Sequence, residues 1–305
     1  MAVLVASGSK APARPRRRPV VSSGWAFVIP FLVFFAIAIL APVVYAIYLS
    51  LFRDQLVGGS SFVGLANYGQ ALTDPDFWFG VGRVFGFMII QVPIMLVFSL
   101  IAALAIDSGR LRAPGFYRIL LFLPYAVPGV VAVLIWGFIY GPRFGLVGSI
   151  NSFLGAQIFT PLTPEWVLGS IANIAVWEFA GYNMVIFYAA LRTVPNELYE
   201  AASLDGAGAF RTILSIKLPA LRGALVITTI FSIIGSFQLF NEPNLLKPIA
   251  PNAITSTFTP NLYAYNLAFT GQQYNYSATI AIVMGLLTAV IAYVVQLRGT
   301  RKELR

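Results

Sequence analysis

The chain has 305 residues, 58% of them hydrophobic and only 10% charged, with a mean hydropathy of +0.81 and a net charge of +9. Soluble globular proteins carry roughly 25% charged residues, so this much apolar side chain cannot be hidden in a water-soluble core, and no polar segment is long enough to fold as a separate domain. Cysteine and histidine are both absent, which excludes disulfides, thiol nucleophiles, imidazole bases and the usual transition-metal sites.

Residues 1–23 are small, proline-containing and basic, with Lys10, Arg14, Arg16, Arg17 and Arg18, and read as a disordered arm. The apolar run 25–52 is too long for the core of a signal peptide. It is expected to be a retained first membrane helix, with Pro30 and Pro42 as kink points. Five further runs, 78–106, 117–140, 167–191, 221–240 and 277–297, are each long enough to cross a hydrocarbon core of about 30 Å. The fold expected is all-α and integral to the membrane: a six-helix domain over 24–298 and a short tail over 299–305. Gln91 and Pro93 in the second run fit either a cavity wall or a kink and are read as a kink, and Trp136, Trp166 and Trp177 as interfacial or packing residues.

Basic residues assign the sides. Sixteen of the twenty Lys and Arg fall in the arm, in 110–118, in 192–222 and after 297, whereas Arg53, Arg83, Arg143 and Lys247 fall in the alternate connections or at the helix ends beside them. Positive charge marks cytoplasmic segments, so six spans put both termini in the cytoplasm. Basic residues placed beside apolar spans also speak against nucleic acid as a partner.

The connection between the fourth and fifth spans, about 193–219, is the most informative stretch. Pro195 opens a helix, with Glu197 and Glu200 in the early turns where the helix dipole favours acids. Leu198, Ala201, Ala202 and Asp205 follow at helical spacing, and Gly206 and Gly208 permit a turn. Phe210, Ile213, Leu214 and Ile216 then form an apolar stripe before Pro219. Short helices of this kind suit docking into a groove on another protein. A P-loop needs Gly-Lys-Ser/Thr; the four lysines are Lys10, Lys217, Lys247 and Lys302, and none follows a glycine.

Glu200-Ala201-Ala202, Asp205-Gly206-Ala207 and Ile216-Lys217-Leu218-Pro219 stand at the spacing of the EAA loop of ABC importer membrane subunits, and the chain resembles that family. Gly223 stands where the family usually has a proline. Three more stretches resemble the sugar and glycerol-phosphate branch: Phe62-Val63-Gly64-Leu65-Ala66-Asn67-Tyr68, Phe122-Leu123-Pro124-Tyr125-Ala126-Val127-Pro128, and Gln238-Leu239-Phe240-Asn241-Glu242-Pro243. The resemblance implies the type I importer permease fold and a binding-protein-dependent, inner-membrane carbohydrate importer of the maltose type. It implies as partners a second permease of similar fold, two ATP-binding subunits that use ATP and magnesium, and a substrate-binding protein outside. The chain itself then needs no cofactor and is no enzyme. By the same resemblance Glu200, Ala201, Ala202, Asp205, Gly206, Ala207, Leu218 and Pro219 couple to the ATPase.

Glu178 stands inside the fourth run, where a lone carboxylate is costly and functional by default, and Tyr182 follows one turn later. In maltose-type relatives substrate contacts come from this part of the fourth span and from the fifth. The resemblance therefore extends the substrate pathway from Glu178 and Tyr182 to Ser232, Ser236 and Leu239, and Gln238 and Asn241 add amides nearby. Sugars need hydroxyl-pairing groups and apolar faces for stacking. A glycerol-3-phosphate substrate calls for convergent Arg or Lys, absent from the centre of these spans, so a neutral sugar, an oligosaccharide, ranks ahead of it and of an amino sugar. An ion-coupled secondary transporter would need buried charged relays, and only Glu178 is clearly intramembrane.

Overall fold

The computed structural model describes residues 21–55 and 58–303. Among these, five helices are long and apolar enough to cross a membrane: Gly24–Ser50, Pro75–Asp107, Val167–Leu191, Arg222–Leu246 and Tyr274–Gly299. The pair Pro114–Ala126 and Gly129–Tyr140, bent by 94°, forms the sixth span. Residues 1–20 of the expected basic arm lie outside the described residues.

The first span is a unit of its own as far as Tyr48. Pro30 sits inside its first stretch, Val21–Phe35, and a π-helical turn over Ala36–Leu40 comes before Pro42. Proline offers no N–H to the carbonyl four residues back, here that of Ala38, and the wider turn occurs where that bond is missing.

In the remainder of the chain the second and fourth spans form the central pair. Phe187, Met184 and Leu191 of the fourth pack with Ala103 and Ile106 of the second and with Leu221. Phe77, Val81 and Val84 of the second pack with Phe237, Ile280 and Met284 of the fifth and sixth. Ile171 and Ile174 of the fourth meet Val133 and Tyr140 of the third, Leu246 at the end of the fifth, and Ile254 and Leu262 beyond it. Ser99 joins the central pair, donating to the carbonyls of Met95 and Ala180.

The third span is not the continuous helix expected over 117–140. A tight 3-10 turn, Leu123–Ala126, leads to Val127 and Pro128, both extended, and a new helix starts at Gly129. Pro124 keeps its preceding residue helical; the break comes at Pro128, whose ring pushes Val127 out of the helical region. The kinked segment lies on the fourth span at Gly181, where a Cβ would overlap the Leu121 carbonyl. Only glycine permits this approach.

The fifth span breaks too. Helix Arg222–Phe237 stops at Gln238 and resumes at Asn241. Two side chains from the 259–269 segment answer the freed carbonyls: Asn261 donates to Phe237 at 2.8 Å and Thr259 to Leu239 at 3.1 Å. Two boundaries also move. The helical path into the fifth span begins at Ala209, passing through a π-helical turn at Ile213–Lys217, well before residue 221. The sixth helix runs from Tyr274 to Glu303, across the boundary at 298 expected for a separate tail.

After the first span the chain forms a two-stranded hairpin, Phe52–Gln55 with Gly59–Phe62, unanticipated by the hydropathy pattern. Asn67 organises it. Only 1% exposed, it donates to the carbonyls of Ser50 and Phe52 and accepts from Arg53. Gly64, two residues after the hairpin, has the left-handed φ of +56°, and Tyr68 hydrogen-bonds Ser50.

Asp74 ties this end of the bundle together. It caps the second span, accepting from the amides of Asp76 and Phe77. It also accepts from Tyr263 at 2.9 Å and from Tyr276 at the head of the sixth span at 2.6 Å. Burial pushes its carboxyl up, but the two hydroxyls and two amides together outweigh it and hold the group below the ordinary carboxylate range. Burial and the Asp74 charge push the Tyr263 phenol well up, so it remains a donor.

Two predictions follow from this packing. Asp74→Ala removes a helix cap and two charge-assisted bonds and should cost about 2–4 kcal/mol in thermal unfolding, while Asp74→Asn keeps the cap and loses less. Because the folded carboxyl titrates below its unfolded value, near about 3.9, the advantage of Asp over Asn is complete above that pH and shrinks as pH falls through the folded value; an advantage that grew on acidification would contradict the assignment. Gly181→Ala should abolish the folded state or shift its melting temperature sharply down. Gly169→Ala, on the same helix with open space around it, should be neutral or slightly stabilising.

Candidate functional site

A half-open cavity of about 400 Å³ lies where the broken third and fifth spans face the second and fourth. Its aromatic side is set by the break at Pro128. The turn presents Tyr125 to the fourth span, where it stacks on Tyr182 with centroids 4.7 Å apart and meets the edge of Phe179 at 5.9 Å. Its polar side comes from the fifth span. Ser232 and Ser236, one turn apart, line it, and the break beyond Phe237 turns Gln238, Leu239, Asn241 and Glu242 into it. The serine hydroxyls donate to the carbonyls one turn back, which leaves their lone pairs for a solute.

Of the residues expected on the pathway, Tyr182, Ser232, Ser236, Gln238, Leu239 and Asn241 are brought together in this cavity. Glu178 is not among the lining residues. It is 8% exposed, with its Oε1 turned to Gly129 of the third span, and it has no hydrogen-bond partner among the described residues. Glu178 and Glu242 stand within electrostatic reach of one another.

Gln91, Asn183, Tyr125 and Glu242 are among the lining residues that sequence reasoning missed. Gln91, read above as part of a kink, lines the cavity instead: buried, it donates to the Met95 sulfur, and Ser236 donates to its amide oxygen at 3.5 Å. Asn183 lies beside it, donating to the carbonyl of Phe179. Tyr125 and Glu242 stand inside stretches already singled out, 122–128 and 238–243, and the prolines there were the available signal for a broken span. Gln91 had no such signal, because a lone amide in an apolar run has no periodicity.

The 193–219 loop forms the second feature. Helix Asn196–Leu204 starts after Pro195, which is the N-cap rather than the first helical residue. It ends in a Schellman turn: Gly206 adopts φ +71° and donates to Ser203, and Ala207 donates to Ala202. That geometry requires a left-handed residue after Asp205 and so accounts for the glycine. Glu200, Ala201, Asp205 and Gly206 are exposed on this helix and turn, and Ala202 and Ala207 are partly buried. Leu218 and Pro219 lie further along, in the helical path into the fifth span. Leu198, Leu204, Phe210 and Leu214 expose their side chains at the same end.

Lys217 fixes this loop to the bundle. It forms an ion pair with Asp107, the last residue of the second span, and its ammonium lies 5.6 Å from the ring centre of Tyr199 on the loop helix. Burial, reinforced by Asp107, pushes the Tyr199 phenol up. The loop helix is thus joined to the second span and, through the 209–237 helical path, to the cavity-lining serines.

A family model for binding-protein-dependent transport system inner membrane components matches residues 19–301. The chain belongs to that family. It is 32% identical over 280 residues to the lactose transport system permease protein LacF of Rhizobium radiobacter, covering 89% of this chain and 92% of that protein. It is also 32% identical to the diacetylchitobiose uptake system permease protein NgcF of Streptomyces coelicolor, over 92% of this chain and 84% of the relative. Among solved structures, a bacterial ABC transporter that imports the acidic polysaccharide alginate superposes with a TM-score of 0.80 at 18% identity, over 92% of this chain and 96% of that one. The fold is that of a type I importer permease, and the protein is a multi-pass component of the inner membrane.

The permease's loop anchor makes a direct prediction. Lys217→Met removes one partner of a largely buried ion pair and should cost about 1–2 kcal/mol of local stability, or roughly a tenfold rise in local opening. Amide exchange should accelerate over 196–221 and stay unchanged over 78–106. Unchanged exchange in the loop would show that Lys217 does not hold it.

Proposed function

We propose that this permease forms one half of the translocation pathway of an ATP-driven, binding-protein-dependent sugar importer, with a neutral oligosaccharide as the solute. The observation that carries the reading is the cavity itself: an aromatic wall of Tyr125, Phe179 and Tyr182 opposite hydroxyl and amide groups, with no Lys or Arg among its lining residues. Ring faces stack on the apolar faces of sugars, and amides and hydroxyls pair with their hydroxyl groups. The named solutes of LacF and NgcF, and of the Bacillus subtilis arabinooligosaccharide permease AraP, which is 32% identical over 285 residues, support the same class. Glu242 in the wall favours a second reading, an amino sugar, and disfavours an anion.

In this reading a second permease of similar fold closes the open side of the cavity. A substrate-binding protein delivers the sugar from outside; a solved relative of the same fold was captured with a pentasaccharide-bound periplasmic protein. Two ATP-binding subunits supply the energy from the cytoplasm, where both termini lie by the distribution of basic residues. ATP-driven closure of those subunits draws the helices carrying Glu200, Ala201, Ala202, Asp205, Gly206 and Ala207 together, and the path through Leu218 and Pro219 passes the movement to the fifth span. No step forms or breaks a covalent bond in this chain.

Uptake by the reconstituted transporter tests the reading. Tyr182→Ala should lose about 1 kcal/mol of stacking, or roughly fivefold in apparent affinity, and Tyr182→Phe should retain most of it. Unchanged uptake in the alanine variant would remove the cavity from the pathway. Independently, Glu200→Ala and Gly206→Val should abolish sugar-stimulated ATP hydrolysis while leaving the affinity for the binding protein unchanged; normal coupling in both would refute the role of the loop.

A further inference from the structure

The connection between the third and fourth spans contains a nine-residue helix, Leu146–Leu154, to which nothing so far gives a role. Its two faces differ. One presents Val147, Gly148, Asn151 and Ser152 to a cavity of about 470 Å³, closed on the far side by residues 249–252. Asn151 accepts from the amides of Ile158 and Phe159 and donates to the carbonyl of Phe159, so the polar face is engaged by protein. The other face presents Leu146, Ile150, Phe153 and Leu154, all exposed, with Phe144 just ahead of the helix. Phe153 is 89% exposed and Phe144 84%. Polar groups turned to protein and large apolar groups turned outward are the reverse of a water-facing helix.

The position of this helix is fixed. It begins six residues after the third span ends at Tyr140, and two glycines let it fold back on that end. A Cβ at Gly145 would overlap the carbonyl of Phe138, and one at Gly148 the carbonyl of Pro142. On the span that it follows, Leu134, Ile135 and Phe138 are likewise exposed. Arg143 precedes it, and Trp166, exposed, opens the fourth span. Aromatic and basic residues at span ends mark the depth of the lipid headgroups.

We propose that Leu146–Leu154 is an interfacial helix that lies at the boundary between lipid headgroups and acyl chains. Leu146, Ile150, Phe153 and Leu154 sit in the lipid, and the Asn151 face forms a wall of the aqueous cavity behind it. Apolar side chains buried at a headgroup boundary hold such a helix at constant depth. Here that anchor steadies the Tyr140 end of the broken third span, whose break carries Tyr125 into the solute cavity.

The chain contains no cysteine, so a nitroxide attached to the purified permease before assembly with its partners marks one position. Labels at Ile150→Cys, Phe153→Cys and Leu146→Cys, each an outward-facing position, are compared with labels at Ser152→Cys and Gln157→Cys, which border the polar cavity. The permease is measured with its partner subunits in phospholipid nanodiscs. The ratio of collision with oxygen to collision with a water-soluble nickel chelate should be several-fold higher at 146, 150 and 153 than at 152 and 157. Equal access of the chelate to 153 and 157 would overturn the proposal by placing the face in water. Low access of both reagents at 146, 150 and 153 would overturn it by showing the face covered by another protein subunit.

Discussion

Hydrocarbon offers a peptide group no hydrogen bond, so a chain crossing a membrane can leave helical geometry only where protein or an enclosed cavity receives the freed backbone. That constraint explains the arrangement of this permease beyond its first span. The third span breaks at Pro128, and its kinked segment rests directly on the fourth at Gly181. The fifth breaks after Phe237, and Thr259 and Asn261 answer its exposed carbonyls. Both breaks open onto one cavity. A glycine, a threonine and an asparagine accommodate the irregular backbone, and the breaks turn Tyr125, Gln238, Asn241 and Glu242 into the cavity beside the polar side chains of the unbroken helices.

The same economy holds at the bundle ends. Asp74 joins the second span, the 259–269 segment and the sixth span through one carboxylate. Asn67 does the equivalent for the hairpin, using both its amide hydrogens and its oxygen. At the opposite end of the second span, Lys217 and Asp107 pin the loop helix. In a bundle whose helix–helix contacts gain little from exclusion of water, such polar ties specify geometry. The second span thus carries a tie at each end and Gln91 between them at the cavity.

The existence of six spans was legible in the sequence because apolar length is a direct consequence of bilayer thickness. The loop was legible because Pro195, the acids after it and the glycines at 206 and 208 mark a helix and its end, and because its motifs stand at the spacing of the EAA loop. Six of the seven residues expected on the pathway line the cavity; the expectation came from the resemblance to the sugar branch and from the amides beside it. What was not legible depended on contacts distant in sequence. Hydropathy reads 117–140 as one helix, since Pro124 and Pro128 look alike and only the backbone shows that the span breaks at Pro128. Gln91 enters the cavity because Ser236 lies across from it, 145 residues away. Glu178, singled out for its charge, turns to Gly129 instead of the cavity, a direction that composition cannot reveal.

The account depends on the 193–219 loop being the point at which an ATP-binding subunit takes hold of the bundle. Cross-linking from Leu204→Cys, in this otherwise cysteine-free chain, tests it most directly, because Leu204 is 89% exposed at the tip of the loop helix. In membranes containing the assembled transporter the account predicts a covalent adduct with the ATP-binding subunit, and no labelling of intact cells by a membrane-impermeant maleimide. Efficient labelling from outside, with no adduct to that subunit, would contradict it.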